Sequence, residues 1–257
     1  MIENRWREAL GGMLPGGGRL SHASDGVRST VYLVGVGRMG TMVARGLAPK
    51  VDLVLVGRDP VRLEPLATAL GARTAPLDTD FAGAGAVVLA LPGEVTAEVL
   101  GTIAPRIPAG VVVINVATGV MRKDLLHMVP DDRLAAAKFV AHYYDLQAGG
   151  QALLVVEAGS PRAEQIAGQI MGHCGPVIAG QEAWVLTANR AATEEAVRLA
   201  IRMRRRLEAA GIPDSIIRQA IAGVAVGCTR AFVDGKLGPF GQVIADRVVA
   251  ELEAKSE

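Results

Sequence analysis

Val31-Tyr32-Leu33-Val34-Gly35-Val36-Gly37-Arg38-Met39-Gly40 is the stretch from which the fold can be read. Its first four residues are apolar or aromatic and half of them β-branched, the signature of a short strand buried in a parallel sheet. Gly35-x-Gly37-x-x-Gly40 follows at once, and the segment from Thr41 to Ala48 then reads as a helix. A strand, three glycines at this spacing and a helix together form a dinucleotide-binding fingerprint. The first glycine permits the tight turn, the second lets a pyrophosphate approach the backbone, and the third lets helix and strand pack closely. The start of the helix offers unpaired N–H groups and a positive dipole end to the phosphates. Val36, Arg38 and Met39 complete the turn and are expected at the cofactor with the three glycines.

The next apolar run, Val51 to Val56, reads as the second strand and ends in Gly57-Arg58-Asp59-Pro60. A cofactor without a 2′-phosphate usually meets an acid at this tip, which accepts from the ribose hydroxyls. Here Arg58 offers a planar fork of donors instead, suited to a phosphate dianion. The expected cofactor is therefore NADP(H). In the competing reading Arg58 is a solvated loop residue and Asp59 is the ribose acid. Asp59 directly before Pro60 reads better as a helix N-cap followed by proline at the first helical position.

Composition narrows the class further. Half of the 257 residues are apolar, enough for one good core and a smaller one, and the net charge is +1. So balanced a charge exerts no general pull toward nucleic acid or anionic membrane. Arg202 and Arg204 to Arg206 read as a solvated helix face beside Glu194, Glu195 and Glu208. Cys174 and Cys228 stand far apart without metal-ligand spacing, so neither a disulfide scaffold nor a metal site is expected. No uninterrupted apolar run reaches membrane-span length, and the N-terminal region lacks the apolar core of a signal peptide. A cytoplasmic location is the expectation.

In chain order, residues 1–28 read as a flexible arm, with a short helix over 2–10 and then a glycine-rich stretch. Residues 29–179 read as a Rossmann-type, doubly wound parallel sheet. Its further strands are expected at 86–91, 111–115, 134–144 and 151–156, with helices at 60–70, 94–100 and 161–172. Residues 180–257 read as a smaller all-α domain. Its segment from Asp214 to Val233 is apolar nearly all round and must be buried on most sides. So few helices cannot enclose it alone, which predicts a homodimer paired through this domain.

These residues resemble the pyrroline-5-carboxylate reductase family, within the 6-phosphogluconate dehydrogenase-like architecture. The likeness rests on Gly35-x-Gly37-x-Met39-Gly40, on Arg58, on Leu89-Ala90-Leu91-Pro92 and on Asn115-Val116-Ala117-Thr118-Gly119. It extends loosely to Glu208-Ala209-Ala210-Gly211-Ile212-Pro213 and spans residues 30 to about 235. The resemblance implies NADPH-dependent reduction of a small, cyclic imine in active sites shared across a helical dimer. Ala90, Leu91, Pro92, Asn115 and Ala117 are then expected at the cofactor. The chain departs from the family at Leu91, where a lysine is usual, and at Val140-Ala141-His142-Tyr143-Tyr144, where the family has Met-Pro-Asn-Thr-Pro. The family's serine- and glycine-rich carboxylate loop is replaced by Gly238-Pro239-Phe240-Gly241.

Reduction of a C=N bond needs a hydride and a proton. His142 is the candidate proton donor, since histidine titrates near neutrality, with Tyr143 to orient or donate. Thr118 and Asn115 are hydrogen-bonding candidates beside the nicotinamide, with ordinary turn chemistry as an equal explanation. Two other readings remain open: a nucleotide-binding regulatory protein without redox activity, and a same-fold dehydrogenase or F420-type oxidoreductase that passes hydride to another acceptor.

Overall fold

The computed structural model describes Ser29–Ala254, so the stretch 1–28 read as an arm lies outside the described residues. The first part of the chain alternates strand and helix. It runs through β1 (Thr30–Val34), α1 (Arg38–Leu47), β2 (Asp52–Gly57), α2 (Glu64–Leu70), β3 (Arg73–Pro76), β4 (Ala84–Leu89), α3 (Gly93–Ile103) and β5 (Val112–Asn115). Then come β6 (Leu134–Val140), the short α4 (Tyr143–Gln147), β7 (Leu153–Ala158), α5 (Pro161–Met171) and β8 (Val177–Ala179). All eight strands share one sheet in the order β3-β2-β1-β4-β5-β6-β7-β8. The first six run parallel, with the strand order reversing at β1, as in a dinucleotide-binding sheet.

The sequence places its hydrophobic residues on both faces, as a doubly wound sheet demands. Val31 and Leu33 of β1 share one buried cluster with Val43, Ala44 and Leu47 of α1 and with Ala163 and Ala167 of α5. Tyr32 and Val34 point the other way, toward Leu100 and Ile103 of α3 and Leu125 and Val129 beyond β5. Helix ends follow local chemistry. Asp59 accepts from the Val61 N–H and caps the 3₁₀ turn Pro60–Leu63, while Gly71 closes α2 in the left-handed conformation. Ser160 caps α5.

Three expectations are corrected here. The sheet is not parallel throughout: β7 runs antiparallel to β6, and β8 follows β7. The link over 141–152 holds only the short α4, too little helix to carry the chain back for a parallel crossover. The strand expected over 134–144 ends at Val140, and Tyr143 and Tyr144 belong to α4. The short edge strands β3 and β8 were not anticipated; both are partly exposed, so neither carries the apolar run that marks a buried strand.

Among the described residues, those from Ser29 to Ala191 and those from Ala192 to Ala254 form separate compact units, so the division falls inside the long helix α6 (Glu182–Ala209). The first turns of α6 belong with the sheet. Glu182 and Val185 are buried there, and the Asn189 Nδ2 donates to the Phe139 carbonyl at 2.8 Å. The second unit continues with α7 (Asp214–Gln219), a π-helical segment (Ala220–Ala225), α8 (Val226–Val233) and α9 (Pro239–Glu253). Asp214 ties this unit locally, accepting from Arg204 at 2.9 Å and Arg218 at 2.8 Å. Asp214–Val233 is a continuous helical stretch with the length and apolar composition of a membrane span, although no uninterrupted apolar run marks it. The expectation was that one chain could not enclose it, and in the single chain Ile216, Val224, Val226 and Phe232 are exposed.

Candidate functional site

The carboxyl ends of β1, β2, β4 and β5 lie along one edge of the sheet and carry four loops. Backbone hydrogen bonds bind those loops together: Gly35 N–H to the Val56 carbonyl, Ala90 N–H to Val34, and Val116 N–H to Leu89. At the glycine turn, Gly35 has φ +95°, and a Cβ there would lie 2.7 Å from the Ala90 carbonyl oxygen. A Cβ on Gly40 would fall 2.1 Å from the Gly35 carbonyl oxygen, the close helix–strand approach that position exists to allow. Gly37 differs, since a Cβ there would meet nothing within 4 Å. It is exposed and caps α1, whose first turn contains no acidic residue to compete with an anion. Arg38 is exposed beside it.

Arg58 stands at the tip of β2, exposed, and hydrogen-bonds nothing among the described residues. Asp59, the alternative ribose acid, is engaged as the N-cap and in an ion pair with Arg62 at 3.1 Å. The open space at Gly37 and the uncontested first turn of α1 fit the pyrophosphate of a pyridine dinucleotide.

Across β1 from Arg58, the loops after β4 and β5 face each other, with Gly93 against the Val120 side chain. Leu91 packs against Gly35, and Pro92 caps α3. Asn115 was expected to touch the cofactor, but its buried carboxamide is spent on the loop. Nδ2 donates to the Val120 carbonyl at 2.8 Å and Oδ1 accepts from the Ala117 N–H at 3.0 Å. Both bonds are ordinary turn chemistry. Thr118, at the tip of the same turn, is half-buried, and its hydroxyl bonds nothing among the described residues.

Beneath this turn lies Lys138 of β6, fully buried, a residue that sequence reasoning passed over. Its Nζ donates to the Ala117 carbonyl at 2.5 Å and to the Val120 carbonyl at 2.8 Å, and stands 3.5 Å from Glu182 Oε2. The other Glu182 oxygen accepts from the Arg122 N–H at 2.5 Å, and the Glu182 N–H donates to Glu157 at 2.7 Å. Burial pulls the Lys138 pKa down to about 8, against the upward pull of Glu182, Asp124 and Glu157. A signal was available: Lys138 is the only charge in the run Leu134–Val140, and a fully buried lysine is rare unless paired.

His142 follows β6 on the same edge, as the N-cap residue of α4. It stacks on Tyr144 with ring centroids 5.7 Å apart, while Tyr143 meets Tyr144 edge-on at 5.6 Å. The Arg38 guanidinium lies 5.9 Å from the Tyr143 ring centroid, which brings this aromatic group to the glycine turn. The His142 imidazole and the Tyr143 hydroxyl hydrogen-bond nothing among the described residues.

Residues 30–119, from β1 to the turn after β5, match the family described as NADP oxidoreductase, coenzyme F420-dependent. A pyrroline-5-carboxylate reductase from Coxiella burnetii superposes with a TM-score of 0.68 at 15% identity, over 89% of this chain and 92% of that one. The chain has the pyrroline-5-carboxylate reductase fold. A Plasmodium falciparum pyrroline carboxylate reductase with NADP bound superposes with a TM-score of 0.60 at 13% identity, over 90% and 93% of the two chains. An imine reductase from Myxococcus stipitatus, a variant in complex with NAD+, gives 0.58 at 17% identity over 81% and 75%. No curated protein matches the sequence. Within the pyrroline-5-carboxylate reductase fold, the matched stretch contains every expected cofactor residue of this chain, whereas His142 and Tyr143 lie beyond it.

Proposed function

We propose that this chain is an NADP(H)-dependent oxidoreductase that reduces the C=N bond of a small imine, working as a homodimer. The observation that carries the reading is the pairing of an open glycine turn at Gly37 with an Arg58, at the next strand tip, that hydrogen-bonds nothing among the described residues. The α1 N–H groups and the turn backbone would hold the pyrophosphate, and Arg58 the 2′-phosphate. Thr118 and the backbone of Ala90 and Ala117 would flank the nicotinamide. When bound, the reduced nucleotide supplies the hydride. The chain must supply the proton that completes the amine, and His142 stands at the same edge to give it, with Tyr143 orienting the substrate. The exposed apolar side chains of α7 to α9 support pairing with a second copy.

A second reading, hydride passing between NADP(H) and a deazaflavin, is favoured by the matched family's description as an NADP oxidoreductase dependent on coenzyme F420. The absence of a counterpart to the pyrroline-5-carboxylate reductase carboxylate loop keeps the acceptor open to this exchange. The deciding experiment follows NADPH absorbance as the protein meets cyclic imines, keto compounds and the oxidised deazaflavin in turn. Binding of NADPH with no oxidation by any acceptor would favour a regulatory protein.

A further inference from the structure

We propose that Lys138 and Glu182 form a buried latch that fixes the loop over residues 116–121 in the shape needed by the nicotinamide half of the nucleotide. Both are positioning residues, and the inference rests on the nucleotide reading above.

The two side chains grip one loop from below. Lys138 Nζ bonds the carbonyls of Ala117 and Val120, the two ends of the turn whose tip is Thr118-Gly119. Glu182 takes the Arg122 N–H just past that turn and stands against the same ammonium. Asn115 adds a third hold on the Val120 carbonyl. Packing alone does not call for this arrangement. At full burial an apolar side chain of similar volume serves stability as well as an ion pair, because desolvating two charges costs about as much as their attraction returns. What methionine or leucine lacks is the ability to fix two carbonyls at once.

Strand order says which half of the ligand is affected. Arg58 ends β2 on one side of β1, and the latched loop ends β5 on the other, beyond β4. A dinucleotide whose pyrophosphate sits at the β1 turn, with its 2′-phosphate at Arg58, places its nicotinamide over β4 and β5. The latch therefore bears on the nicotinamide and leaves the adenosine half alone. The charged groups facing Lys138 are Glu182 from α6, Asp124 and Glu157; Arg122, itself paired with Asp131, borders them. Loss of the ammonium proton breaks the pair with Glu182, so the grip weakens as pH rises through about 8.

The test is a calorimetric titration of wild type, Lys138→Met and Glu182→Gln with two probes, NADPH and adenosine 2′,5′-bisphosphate. The second probe lacks the nicotinamide half. Each variant should lose about ten-fold in NADPH affinity while holding the bisphosphate within about two-fold. Wild-type affinity for NADPH should decline between pH 7 and pH 9.5, and that for the bisphosphate should not. If Lys138→Met fails to fold, Glu182→Gln carries the test, since its amide oxygen still accepts from Arg122. Variants that bind NADPH as wild type does, or that lose both probes equally, overturn the latch while leaving the nucleotide reading intact. A wild type that binds neither probe overturns the nucleotide reading and the latch with it.

Discussion

An added Cβ collides with backbone at Gly35 and Gly40 but enters empty space at Gly37. The fold itself therefore requires Gly35 and Gly40, and Gly37 answers to whatever occupies the space outside. Gly37 has an ordinary extended conformation, with φ −65° and ψ −167°, which a β-branched residue adopts without strain. Gly37→Val should fold with near-normal thermal stability and lose NADPH affinity by roughly a hundred-fold or more, because the side chain fills the pyrophosphate position. A folded variant with unchanged affinity by calorimetry would show the stretch to be a turn and nothing more. The glycines and Arg58 were legible in the sequence because their meaning is local, carried by spacing along one strand and its turn. Lys138 was not, because its partners Ala117, Val120 and Glu182 come from two other segments and meet it only in the fold.

Among the elements, α4 is the one whose character the sequence concealed. Tyr143 and Tyr144 favour a strand by propensity, yet they form one turn of helix capped by His142. Burial decides the matter: β6 is buried from Leu134 to Phe139, and the chain emerges from the sheet at Val140. The same emergence places His142 at the edge shared with the glycine turn. The antiparallel entry of β7 was equally hidden, since a strand's own residues do not record its direction. If His142 donates the proton, His142→Gln should lower turnover roughly a hundred-fold with NADPH affinity unchanged, and Tyr143→Phe should cost far less. Full turnover in His142→Gln with loss in Tyr143→Phe would transfer the role to the tyrosine. Full turnover in both would remove the aromatic group from the chemistry.

For the whole molecule, the two compact units pose opposite packing problems. The sheet unit buries its apolar residues on both faces and is self-sufficient. The helical unit leaves Phe240 and Val243 of α9 exposed at 83% and 71%, with Val224 and Phe232 also uncovered. Such a surface on a single chain is the mark of an interface. The protein should sediment as a dimer at micromolar concentration, and Phe240→Glu combined with Val243→Glu should yield a folded monomer. A wild-type monomer, or a dimer indifferent to both charges, would contradict pairing through these helices. The nearly all-round apolar character of 214–233 was legible as a demand for cover, and the structure adds which side chains need it.

The proposed reaction is NADPH-dependent reduction of a small imine. Its most direct test is to follow NADPH absorbance with wild-type protein and a series of cyclic imines, with NADH in parallel. The account predicts that absorbance falls with at least one imine. It also predicts that NADPH outperforms NADH by about ten-fold or more in kcat/KM, a preference that Arg58→Ala abolishes. No oxidation of NADPH by any imine, or equal use of the two nucleotides by wild type, would contradict it.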